Sequence, residues 1–211
     1  MPRDAAATRD ALITAGRRLL ARPGGLATPV KEIVDAAGQR NVSALHYHFG
    51  GRRGLVEAIL DAHGGTIEER RAAMLQPFGR DLEAATMPQL VDAFIAPQAE
   101  LLGVTEGRHF LSIISQLVDL FDRWDLVPER TGHHAMRVFR ALQERMPPSL
   151  GAELRHERIT RFLELVTSAL GARARNVDAN RPVPLSTADF VANLTAMSIG
   201  ALSSDAASRG P

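Results

Sequence analysis

Apolar positions along this 211-residue chain recur at helical spacing from end to end, and no segment alternates as a strand would. Leu12, Ala15, Leu19 and Leu20 share one face of a helix over about 8–21, which Pro23-Gly24-Gly25 ends. Thr28 is a natural N-cap for the next helix, with Pro29 in the first helical position, where a missing N–H costs nothing. That helix turns Val30, Ile33, Val34 and Ala37 inward until Gly38, a glycine at the C′ position. A third helix over about 41–48 stops at Gly50-Gly51, and a fourth opens at Arg52 and carries Leu55 and Ile59 past Ile67. The same spacing predicts helices over about 87–102, 107–122, 128–145, 152–175 and 186–203, parted by proline- and glycine-bearing breaks. Two stripes stand out in the last pair. One holds Ile159, Phe162, Leu163 and Val166; the other holds Phe190, Leu194, Met197 and Ala201.

Composition narrows the class. A hydrophobic share of 45% is that of an ordinary globular protein, and no apolar run reaches the roughly 18 residues of a membrane span. The opening MPRDAAATRD has no signal-peptide core, so a cytoplasmic, nucleoid-associated location is expected. There is no cysteine, which removes disulfides, thiol catalysis and thiolate metal sites together. Net charge is only +1, but its distribution is uneven. Residues 1–55 hold nine basic against four acidic side chains, whereas the remainder holds 16 against 20. A basic first quarter on a mildly acidic body suits a nucleic-acid-reading head on a body that stays clear of it. Chance clustering of surface charge accounts for the same numbers, so the motif must decide.

The stretch Thr28 to Val56, TPVKEIVDAAGQRNVSALHYHFGGRRGLV, supplies that motif. Two short helices, a tight turn and a further helix opening on paired arginines form the build of a helix-turn-helix, which sets one helix in the major groove. In order and spacing, Thr28, Ile33-Val34, Ala37-Gly38, Leu45, Tyr47-His48-Phe49-Gly50 and Arg52 resemble the amino-terminal domain of the TetR family of bacterial transcriptional regulators. Three positions depart from the common pattern. The turn Gln39-Arg40-Asn41 is one residue longer, His46 stands where an aromatic is usual, and Arg52 replaces lysine. The resemblance implies an all-α fold: a three-helix DNA-binding domain over 1–55 and a larger helical effector-binding and dimerisation domain over 56–211. It also implies a ligand-responsive regulator, more often a repressor, that binds a palindromic operator as a homodimer.

The candidate contacts follow from side-chain chemistry. Arg40, Asn41, Ser43, His46 and Tyr47 fall on the outward side of the third helix or just ahead of it. Arg and Asn suit base edges, and the Tyr hydroxyl suits phosphate. Thr28 and Lys31 at one helix start, and Gly51, Arg52 and Arg53 at another, suit phosphate held by backbone N–H groups. A capping role for Thr28 and plain surface roles for the others remain open, and His48 reads better as a structural residue. In the body, His109, Phe110, Ile113, Gln116, Leu117 and Trp124 suggest the lining for a small, largely apolar effector, with core packing as the alternative. The stripe residues Ile159, Phe162, Leu163, Val166, Phe190, Leu194, Met197 and Ala201 suit a two-fold four-helix interface, or else internal core. No cofactor and no metal are expected. His133-His134 and His46-x-His48 lack the i, i+4 spacing of a helical ligand pair, and no HExxH, GxSxG or phosphate-loop pattern points to an enzyme.

Overall fold

The computed structural model of the protein describes residues 2–117 and 133–205. These form helices α1 (Pro2–Leu20), α2 (Val30–Ala36), α3 (Ser43–Phe49), α4 (Arg52–Leu75), α5 (Met87–Ala99), α6 (Thr105–Leu117), α7 (His133–Arg145), α8 (Ala152–Asp178) and α9 (Thr187–Ser203). No strand occurs among the described residues.

Local chemistry accounts for most boundaries. Gly38 adopts φ 70°, its N–H bonding to the Asp35 carbonyl while that of Gln39 bonds to Val34, which closes α2 in a Schellman motif. Thr86 and Gln89 cap α5 reciprocally, and the Ser186 hydroxyl accepts from the Asp189 N–H to open α9. Two starts differ from the sequence reading. Pro29, rather than Thr28, is the N-cap of α2, because its carbonyl is the first to accept, from Glu32 and Ile33. Asn41 stands ahead of α3, its side-chain oxygen accepting from the Ser43 N–H at 3.0 Å. The longer turn is thus absorbed as an Asx-type lead-in to the helix.

Two apolar cores lie along one long helix. The head core joins Leu12 and Leu20 of α1, Ile33 of α2, Leu45 of α3 and Leu55 and Ile59 of α4. The body core is centred on Phe94 of α5, whose ring lies 5.0 Å from Phe139 of α7 and 5.1 Å from Phe162 of α8. Helix α4 belongs to both, since Ile67 and Leu75 sit in the body core. At its 24 residues and about 1.5 Å per residue it spans about 36 Å. A boundary at 55/56 therefore falls inside α4. The head core also takes Ile113 from α6. α6 and α8 cross so closely that a Cβ on Gly171 would stand 2.3 Å from the Ser115 side chain.

The apolar stripes of α8 and α9 divide between core and surface. Ile159, Phe162, Val166 and Leu194 are at most 3% exposed and belong to the chain's own core, which corrects their assignment to a subunit interface. Periodicity reports burial without saying against which chain. Leu163 and Phe190 are half-buried, Ala201 is exposed and Met197 is 51% exposed.

Candidate nucleic-acid interface

Helix α3 is held by its inward side. Leu45 is fully buried, and Ala44 and Phe49 pack against the head core, so Ser43, His46 and Tyr47 are left exposed at i, i+3 and i+4 on one face. Tyr47 is 82% exposed, an uncommon position for the only tyrosine in the chain. Arg40 and Asn41 are exposed in the turn just ahead. Asn41 carries a structural duty there, because its side-chain oxygen already accepts from Ser43. His48 is half-buried with its ring 5.0 Å from Tyr47, edge to face, in keeping with a supporting role.

The junction of α3 and α4 is built on glycine. Gly50 adopts φ 68° and donates to the His46 carbonyl at 2.8 Å, and Gly51 at φ 134° is the N-cap of α4. Gly54 lies so close under the end of α3 that a Cβ there would stand 1.9 Å from the Phe49 carbonyl oxygen. The two arginines that follow the glycine pair point to different partners. Arg52 donates to the carbonyls of Leu26 and Thr28, tying α4 to the loop before α2. That bonding makes it a brace between α4 and the loop. Arg53 is outward, its side chain 88% exposed, with an i, i+4 ion pair to Glu57 at 2.8 Å. At the start of α2, Thr28 is half-buried, and Lys31 is exposed and paired with Asp35 at 2.9 Å. Arg9 of α1 stacks over Phe49 at 5.3 Å.

A model of the bacterial regulatory proteins of the TetR family matches residues 12–59. The chain carries a TetR-family DNA-binding head. The matched span closes at Ile59, the last buried α4 residue of the head core. A search of curated proteins gave no match to the chain. No helix among the described residues is long and apolar enough to cross a membrane.

The residues expected to line an effector site lie on α6, Trp124 excepted. Ile113 is fully buried in the head core, and Leu117 packs on that core. Gln116 donates to the Leu20 carbonyl of α1 at 3.0 Å. Phe110 is buried in the body core with His63 at 5.5 Å, edge to face. His109 lies 3.9 Å from Asp178. Trp124 lies outside the described residues. Through Ile113, Gln116 and Leu117, α6 forms a joint between body and head. Arg17 of α1 pairs across it with Glu106 at 3.3 Å, and within the body Arg108 pairs with Asp178 of α8 at 2.5 Å. Burial, then the Arg17 charge, holds His63 below its usual range. Burial also lowers His109, against the pull of Asp178. Sequence reasoning missed this joint because its partners stand 89 residues apart, as Arg17 and Glu106 do.

Proposed function

We propose that this protein is a repressor that binds a palindromic operator as a homodimer and leaves it when a small effector occupies the helical body. The observation that carries the reading is the exposed Ser43, His46 and Tyr47 face of α3 on a TetR-family head. On that head α3 is the recognition helix. Arg40 reads a base edge, and Ser43 and His46 complete the groove contact, with Asn41 supporting the turn. Tyr47 positions the duplex through phosphate, and Arg53 and Lys31 add charge to the backbone grip. Each exposed arginine has at most a weak surface ion pair to give up, so exchange of a carboxylate for a phosphate is cheap.

One head of this size makes too few contacts for specificity, and a two-fold dimer doubles them on a symmetric site. The exposed side of α8 and α9 is the face for that pairing. Selection of bound sequences from random duplex DNA tests the reading. A palindrome with two half-sites is expected, bound with an affinity that falls steeply as salt rises. Enrichment of no sequence, or binding indifferent to salt, overturns it.

A further inference from the structure

A cavity of about 540 Å³ opens between the last turns of α4, the loop after it and the start of α7, and three arginines line it. Among the described residues, Arg80, Arg137 and Arg140 border it with His133 and His134, against a single acid, Asp81. Among the described residues none of the three arginines takes part in an ion pair. Glu68, which accepts from the His134 backbone N–H at 2.8 Å, is already occupied by Arg71. Arg137 is fixed in place. It donates to the carbonyls of Gly79 at 2.9 Å and Arg80 at 2.6 Å, and meets His134 Nδ1 at 3.1 Å. Arg80 and Arg140 are exposed.

Three guanidinium groups around one concavity favour an anion within it. The planar N–H forks of Arg80 and Arg140 match the oxygens of a carboxylate or phosphate. The volume is that of a small-molecule site, and Ala72 and Leu75 give it an apolar wall. We propose that this cavity binds a small organic anion through carboxylate or phosphate oxygens, gripped by Arg80 and Arg140 and oriented by Arg137. The proposal goes beyond DNA reading and does not rest on it.

Calorimetric titration of the full chain tests it, with inorganic phosphate in one arm and succinate in the other. Ionic strength is held constant with sodium chloride. Saturable one-site binding of at least one probe is expected, and the stronger arm identifies the group recognised. R80Q/R140Q should weaken that binding about tenfold or more, since each lost charge-assisted hydrogen bond is substantial. R22Q, which removes an exposed arginine of the head, should leave it unchanged. Melting curves without probe check that each variant is folded, and R140Q alone is read if the double variant melts early. Unsaturable heats in both arms, or equal affinity in R22Q and the Arg140 variant, would overturn the proposal. Because no DNA is present, failure here leaves the operator reading standing, and loss of operator binding would leave this site standing.

Discussion

Arg52 and Arg53 are neighbours in sequence, yet one guanidinium bonds the carbonyls of Leu26 and Thr28 while the other is 88% exposed beside Glu57. Removing the first strands two partly buried carbonyls, so R52A should cost about 1–3 kcal/mol in chemical denaturation. Removing the second should leave stability within about 0.5 kcal/mol and reduce the salt slope of operator binding by about one unit. An unchanged slope in R53A would exclude Arg53 from the phosphate grip. Tyr47→Ala offers the matching test on α3. With 82% of the residue exposed, the fold should not notice, whereas operator affinity should drop about tenfold. Full affinity in that variant would remove Tyr47 from the interface. At this scale the sequence revealed residue types but not their direction. A paired arginine carries no local mark of which member turns inward, and only the carbonyls 24 and 26 residues away decide it.

Among the elements, helices were legible because their signals are local. Glycine at C′ of α2, the Thr86–Gln89 capping box and the 3.6-residue apolar period all act within a few residues. What each helix packs against was not legible, and α6 shows why. Its Phe110, Ile113 and Leu117 make an apolar face that fits an effector lining or a helix–helix joint equally well. In the fold that face meets α1 and α4, and a titratable set surrounds it: Arg17, His63, Glu106, Arg108, His109 and Asp178. His63 and His109 both have folded pKa values below the ordinary 6.5. The unfolded chain therefore binds more protons below that pH, and stability contributed by the neutral imidazoles is lost as pH falls from 6.5 toward the depressed values. Thermal midpoints should drop over that window, and H63Q/H109Q should drop less. Parallel curves for the two proteins would show that these histidines do not couple the joint to pH.

For the molecule as a whole, the unpartnered side of α9 is the feature that a single chain leaves unexplained. Only Leu194, Ser198 and Leu202 of this helix are buried, although its sequence, TADFVANLTAMSIGALS, is apolar or small nearly all round. A helix of that kind requires cover on more than one side. The body supplies one side; Met197 at 51% exposure, with exposed Ala192, Ala196, Gly200 and Ala201, marks the other. A Cβ on Gly200 would meet nothing within 4 Å, so the small residues are not explained by contacts inside the chain. The proposed homodimer would cover them by close approach of a second copy. Met197→Asp places a charge on the face while sparing the internal core, so helicity should persist and sedimentation should report a monomer. Operator affinity should then fall about a hundredfold or more, because the second head no longer binds at high effective concentration. Ile159→Asp, by contrast, should unfold the body, since Ile159 is 2% exposed within its core. A Met197→Asp protein that sediments as a dimer and keeps its affinity would move the interface away from α9.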